Sequence, residues 1–388
     1  MKKVLEGIRV LDLGRIISAP YCAMLLGDMG AEVIKVERVG TGDDMRVMAE
    51  FDFPAVNRNK KSVTVQFRSE EGKAILRSLI EKSDVLLENF RPGTMEKMGF
   101  SWEEVKKINP RIIMASISGF GQTGPYRERA AFDSIIQAVS GVMSVTGTKD
   151  SGPVRIGAPL LDHVSGLFAF SGIMLALYNR DRTGEGQYVD ISMMDSAVPM
   201  LFTHIPNYSA RGIIAGTEDT NAPTAVPAAT YKAKDGYIYL NGGTPHLFKY
   251  IREIIGSEEL MKEEYISQAY RLEHHVEVNA IVADWVSQHT VDEVDQIMTA
   301  GGVPAGIVST VDRVINDPQV KARNTVVDIE VEGCGKVKFG GNPIKMSDCP
   351  VDEFRPAHAL GQDNEEVYCG LLGLSHEKLE QLKKDQVI

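Results

Sequence analysis

The sequence predicts an α/β protein with two parts, a large domain on a mostly parallel sheet and a smaller α/β domain. Three observations carry that expectation. Strand-like and helix-like stretches alternate through the first 118 residues, the order that βαβ units produce. The stretch 112–118 is continuous enough in apolar character for a parallel sheet buried on both faces. From 207 to 227 periodicity gives way to Gly, Thr, Asn and Pro, so a linker precedes a second domain.

Residues 8–13, Ile8-Arg9-Val10-Leu11-Asp12-Leu13, form a buried strand ending at Gly14. Pro20 opens a helix that runs to Met29 and closes at Gly30, and a strand follows at 32–37. This unit ends in an acidic residue, as a dinucleotide-binding unit does. Its first turn, however, reads Gly-Arg-Ile-Ile-Ser-Ala-Pro and lacks the glycines that let a pyrophosphate approach, which disfavours an oxidoreductase. Residues 39–59 are a polar loop with Asp43, Asp44 and Arg46. Strands are expected at 63–67, 85–88 and 112–118, and helices at 69–82 and from the capping box Ser101-Trp102-Glu103-Glu104. Pro92 breaks the turn after the strand at 85–88, and 119–125 is a glycine-rich loop at a strand's carboxyl end, where ligands sit in such sheets. Past the linker, Asp235-Gly236 joins strands at 230–233 and 237–240, with helical patterns at 247–255, 276–289 and 291–300. The large domain thus starts over 1–206, and the small one spans 228–325.

The 388 residues suffice for a sizeable core, and the net charge of -11 speaks against nucleic acid as a partner. Cys22, Cys334, Cys349 and Cys369 are scattered, with no Cys-x-x-Cys pair and no histidine at ligand spacing. That pattern fits the reducing cytoplasm and no metal site. The N-terminal MKKVLEGIRV lacks the continuous apolar segment of a signal peptide. The charge-free run 164–178 is short for a membrane span and contains Ser165, Gly166, Ser171 and Gly172; it reads as a buried core helix, with no membrane partner.

The chain is organised around 157–196. Asp162 stands directly before the charge-free run, where it reads either as a helix N-cap or as a nucleophile. A helix apolar nearly all round is buried, so a carboxylate at its mouth is part-desolvated, while the helix dipole and free N–H groups keep it ionised. A charged turn from Asn179 to Gln187 and the strand Tyr188-Val189-Asp190-Ile191-Ser192 follow. An Asp, a small-residue-rich helix, an R-T-G-x-G-Q turn and a V-D-I-S-M strand in this order resemble the class III (family III) CoA-transferases of the CaiB/BaiF type. These include formyl-CoA:oxalate and carnitine CoA-transferases and are related to the α-methylacyl-CoA racemases. The segments LDLGRIISAPYCAMLLGDMGAEVIKVER, ENFRPGTMEKMG, SISGFGQTGPY and GNPIKMS carry the resemblance over most of the chain.

The resemblance implies a Rossmann-like large domain, to which 326–388 return, and an interlocked homodimer in which each chain forms a ring threaded by the other. It implies that Asp162 is the nucleophile and that the turn with Ile17 and Ser18 lies against CoA. It implies further that Arg38, Val65, Arg68, Asn89, Phe90, Lys97 and Met98 hold CoA, the cations at its phosphates and Asn89 with Phe90 at adenine; charge-assisted forks suit that task. Formyl-CoA transferases often carry Gln where Ile17 stands, which turns the expectation away from oxalate and formate. Gly242 and Gly243 read either as a plain turn or as a mobile loop that covers Asp162 and offers N–H groups to an oxyanion. His163 diverges from Asp162 by about 100° of helix and reads as structural, and Cys22 reads as an inert core thiol.

The leading expectation is transfer of CoA between an acyl-CoA and a free carboxylic acid, through an aspartyl anhydride and an aspartyl-CoA thioester. CoA is then a substrate, and no cofactor is resident. The alternative is a racemase on the same fold, whose His would stand in a G-H-D segment. Here the matching residues are Ala131-Phe132-Asp133, and Phe132 cannot exchange a proton. A non-catalytic CoA-binding protein is the third reading.

Overall fold

The computed structural model describes residues 3–217, 225–351 and 353–388, and the chain divides into two compact units. One comprises Met1–Met143, Arg155–Ile205 and Ala322–Ile388, the other Ser144–Val154 and Pro206–Lys321. Of the expected linker, 218–224 lies outside the described residues. Its start is not a linker, because His204–Arg211 is helical. Pro206 lies in the first turn of that helix, where a missing N–H disturbs no intrahelical bond.

The large unit is built on six parallel strands, β1 (Arg9–Asp12), β2 (Glu32–Glu37), β3 (Lys60–Thr64), β4 (Val85–Glu88), β5 (Ile113–Ser118) and β6 (Gln187–Ser192), in the order β3-β2-β1-β4-β5-β6. The winding reverses between β1 and β4, so the crevice beyond their carboxyl ends is where such a sheet receives a ligand. Helices α1 (Ser18–Asp28) and α4 (Leu160–Thr183) cover one face, burying Val10, Leu87, Ile113 and Ala115 against Cys22, Leu26, Ala169 and Ile173. Helix α2 (Glu70–Glu81) covers the other, with Leu11, Ile34, Leu86 and Met114 against Leu76, Leu79 and the returning Tyr368 and Leu382. Each large side chain so buried contributes roughly 1.5–3 kcal/mol. A short helix α3 (Asp133–Val139) precedes α4 in the chain.

Two elements depart from the sequence expectation, one of them in two ways. β3 begins at Lys60 rather than 63, because ion pairs compensate its lysines: Lys60 reaches Asp12 at 2.8 Å, and Lys61 reaches Glu32 at 2.6 Å and Glu366 at 2.7 Å. α4 is 24 residues long, since the charged turn after 178 stays helical until Gly184, whose φ of +79° closes it. Nor is α4 buried all round. Leu161, Ser165, Gly166, Ala169, Ile173, Ala176 and Leu177 face the sheet and α1, while Leu175 is 70% and Tyr178 65% exposed on the opposite side, beside Leu167 and Phe168.

The second unit has a three-stranded antiparallel sheet of β7 (Ala228–Lys232), β8 (Tyr237–Asn241) and β9 (Ala305–Ile307), with β8 central. Helices Pro245–Ile255, His275–Ser287 and Val291–Ala300 supply Phe248, Ile251, Val282 and Met298 to a core with Ile238 and Leu240.

Arg58, 1% exposed, holds Asp28 through two bonds of 3.0 and 2.7 Å. Arg58→Met leaves the Asp28 charge buried and short of its partner, and is expected to cost about 3–5 kcal/mol. A fall in the urea midpoint measures the loss, and adding Asp28→Asn should recover part of it.

Candidate active site

The turn after β1 comes first, because two sites meet on it. A Cβ on Gly14 would lie 2.5 Å from that of Ala19, so only glycine fits. Ile16 takes a φ of +65°, uncommon for a β-branched residue, and its N–H donates to Asp43 Oδ1 at 3.1 Å. Lys35 Nζ donates to the Gly14 carbonyl at 2.8 Å. The side chain of Asn89 clamps the turn from β4: Oδ1 accepts from Arg15 N at 2.8 Å, and Nδ2 donates to Arg15 O at 2.8 Å and Ser18 Oγ at 2.9 Å. Asn89 is therefore spent on the turn, a correction to the adenine contact expected of it.

On one side of this turn lies a cleft of about 180 Å³, lined by Leu13, Gly14, Arg15, Val36, Glu37, Arg38, Gly42, Asp43, Phe67, Phe90, Thr94 and Met98. It brings together Arg38, Phe90 and Met98 of the expected CoA residues. Val65 is fully buried in the cluster that backs Phe67, Phe90 and Met98, so it supports the cleft rather than lining it. Arg68 and Lys97 are exposed and do not line it. Glu37, the acidic end of β2, accepts from Arg46 Nε and Nη2 at 2.7 Å each, from Ser62 Oγ at 2.7 Å and from Asp43 N at 3.0 Å. No valence is left for a ribose, so the dinucleotide reading fails here for a second reason.

Asp162 lies on the other side of the turn. A Cβ on Gly166, one helical turn along α4 from Asp162, would stand 2.6 Å from the Ser18 carbonyl, so the missing side chain lets the two helix starts touch. Side chains four apart share a helix face, which turns Asp162 toward α1. Ile17 lines a neighbouring hollow of about 420 Å³ with Tyr21, Pro159 and His163. His163 Nδ1 is 2.8 Å from Pro159 O, and its ring meets Tyr21 edge-on at 4.6 Å.

Asp162 is not the N-cap. It is the third residue of α4, and the carboxylate that caps the helix belongs to Asp133 of α3, whose Oδ1 accepts from Leu161 N at 2.7 Å and Asp162 N at 3.3 Å. Gln137 fixes Asp133 from below, donating to its Oδ2 at 2.5 Å and accepting from Ile156 N at 2.8 Å. The N–H groups expected to hold Asp162 ionised are thus taken by a second negative charge. Burial first, and Asp133 second, push the Asp162 carboxyl up to about 7. Asp133 was legible in the sequence only as the residue after Phe132, and its partners stand 28 and 29 positions away.

Gly242 and Gly243 belong to the second unit and are both buried. Gly242 N donates to Pro227 O at 2.9 Å, and Gly243 O accepts from the fully buried Arg271 at 2.7 Å. A Cβ on Gly243 would stand 2.4 Å from the backbone of Ala225 and Val226. This turn is anchored rather than loose, and the Gly242 N–H is not available to an oxyanion.

An aromatic-walled cleft with guanidinium groups lies at the switch point of an open parallel sheet, where folds of this α/β class receive ligands. Residues 5–364 match the model of the family described as CoA-transferase family III, and the chain belongs to that family. It is 36% identical to succinyl-CoA--D-citramalate CoA-transferase of Chloroflexus aurantiacus, over 99% of this chain and 98% of that protein. It is 35% identical to succinyl-CoA:glutarate CoA-transferase of Mus musculus, over 100% of this chain and 90% of that protein. A solved CAIB/BAIF family protein from Brucella suis superposes with a TM-score of 0.87 at 33% identity, over 96% of this chain and 100% of that one. The protein is a CoA-transferase.

If Asp133 is the cap, Asp133→Ala should lower stability by about 0.5–2 kcal/mol, whereas Asp162→Ala should leave it unchanged or raised. Thermal unfolding of the two variants side by side decides which carboxylate holds α4.

Proposed function

We propose that the chain moves CoA from an acyl-CoA to a free carboxylic acid through covalent intermediates on Asp162. One observation carries the reading: a part-buried carboxylate beside the Gly14–Pro20 turn, with no hydrogen-bond donor to its side chain among the described residues, next to a cleft that suits the adenosine end of CoA. An Asp162 oxygen attacks the thioester carbonyl, the C–S bond breaks, and an anhydride and CoA thiolate result. The thiolate attacks the aspartyl carbonyl of the anhydride, giving an aspartyl-CoA thioester and the donor acid. The acceptor carboxylate attacks that thioester, forming a new anhydride and thiolate. The thiolate then takes the new acyl group and frees Asp162. Each step exchanges one activated carboxyl for another, so none needs ATP. Arg38 serves the phosphates, Phe90 and Met98 the adenine, Ile17 and Ser18 the pantetheine arm, and Arg68 and Lys97 approach from the cleft's rim. Succinyl-CoA, named in relatives from C. aurantiacus and mouse, is the donor to test first.

The apolar stripe of Leu167, Phe168, Leu175 and Tyr178 supports a homodimer, because monomers seldom expose such a row. The scatter of the four cysteines along the chain, with no Cys-x-x-Cys pair, supports a cytoplasmic setting.

Asp162→Ala should abolish exchange of labelled succinate into succinyl-CoA, and hydroxylamine should modify a peptide containing residue 162 only after acyl-CoA is added. Exchange by Asp162→Ala at the wild-type rate would sink the mechanism. A nucleophile must be deprotonated, so with the Asp162 carboxyl at about 7 the rate should climb about tenfold per pH unit below 7 and level off above it. Asp133→Asn keeps an acceptor for the helix but removes a like charge, so the acid limb should move to lower pH. Separately, Leu175→Asp should shift the particle toward the monomer mass in analytical ultracentrifugation.

A further inference from the structure

Arg15 and Arg38 share one carboxylate at the mouth of the cleft. Arg15 Nη2 binds Asp44 Oδ2 and Arg38 Nη2 binds Asp44 Oδ1, so Asp44 bridges the two guanidinium groups. Burial first, and then Arg38, lower the pKa of Arg15, which shows how closely the two cations crowd each other. Like charges at this spacing need an anion between them.

Asp44 differs from the acids around it. Glu37 and Asp43 are each 1% exposed at the side chain, with Glu37 paired to Arg46, Asp43 paired to Lys35 at 2.9 Å and Asp43 Oδ1 accepting from Ile16 and Met45. Asp44 is 39% exposed, and its only ion-pair partners among the described residues are the two arginines. Its backbone is held by its neighbour, whose N–H donates to Glu37, so the carboxylate can rotate into water without disturbing the turn. Arg15 has a further unused donor: its Nε is shielded from solvent and has no hydrogen-bond partner among the described residues. Behind the arginines, Phe67, Phe90 and Met98 make an apolar wall.

We propose that Asp44 is a placeholder for a phosphate of CoA, displaced when the nucleotide enters, and that Arg15 is a phosphate ligand alongside Arg38. The inference rests on the CoA-transferase reading of the cleft. A phosphate carries more charge than a carboxylate and more acceptor oxygens, so it outcompetes Asp44 for both forks and recruits the idle Arg15 Nε. Asp44 keeps the two cations apart from each other and from stray anions while the site is empty, and it costs affinity when the site fills.

Isothermal titration of the full chain with CoA tests this. Asp44→Asn removes the competitor's charge and should tighten CoA about three- to tenfold, since exposed ion pairs contribute modestly. Asp44→Ala, which cannot bond the arginines at all, should tighten it too. Arg15→Gln should weaken CoA about tenfold. Dephospho-CoA separates the two phosphate sources: a gain that vanishes with it assigns the 3′-phosphate, and a gain that persists assigns the diphosphate. Unchanged or weaker CoA binding by both Asp44 variants, with wild-type binding intact, overturns the proposal and makes Asp44 a strut that presents the arginines. Failure of the wild type to bind CoA overturns the reading of the cleft along with it.

Discussion

Six buried or half-buried charges on β1, on β2 and the segment after it, and at the start of β3 hold the site together. Asp12, Glu37 and Asp43 face Lys35, Lys60 and Arg46, three of each sign. Burial lowers the pKa of Lys60 to about 8, with Asp12 opposing, whereas around Lys35 the carboxylates of Asp12, Asp43 and Glu37 outweigh burial and raise it. Desolvating each ion costs several kcal/mol unless its partners are in place, so the cluster forms as a set. The turn that borders the cleft is attached to it. Lys35 holds Gly14, Asp43 holds Ile16, and Glu37 holds the backbone of Asp43 and the guanidinium of Arg46. The left-handed Ile16 persists because these bonds over-determine it.

A second carboxylate pair divides the labour differently. Asp133 and Asp162 meet the same helix end: Asp133 spends its oxygens on backbone and on Gln137, while the side chain of Asp162 has no donor among the described residues. Each state of one alters the other, because the like charge of Asp133 adds to the burial that disfavours ionised Asp162. Two titratable groups whose surroundings push them into separate roles are a recurring device for setting an acid–base chemistry near neutral pH.

Much of this could be read from the sequence, and what could not shares a cause. β4 and β5 are largely apolar runs whose burial is a property of their own residues. Asp162 stood out because a carboxylate directly before fifteen uncharged positions is conspicuous in one dimension. Lys60 and Lys61 look like loop residues until their partners Asp12, Glu32 and Glu366 are folded beside them. The outward face of α4 is apolar too, so periodicity did not separate it from the inward one. Asn89, Asp133, Arg15 and Asp44 act through residues 28 to 74 positions away, or through each other, and one-dimensional spacing carries no trace of such pairs. Val65 is buried behind the cleft and Asn89 is bonded to the turn beside it, and neither position can be read from spacing alone.

The outer edge of β3 has a particular finish. Its free N–H groups are met by Asp363 at Ser62 and Asn364 at Thr64, and just beyond the strand Gln66 donates to the carbonyl of Val387, while Tyr368 donates to the Thr64 carbonyl. A sheet edge left open is a template for other chains. On the ribosome, the first three strands emerge early, yet the groups that close their edge lie some three hundred residues later. The nascent sheet is thus unprotected for most of translation, and sealing it is a late event that couples the quality of the first domain to completion of the last helix.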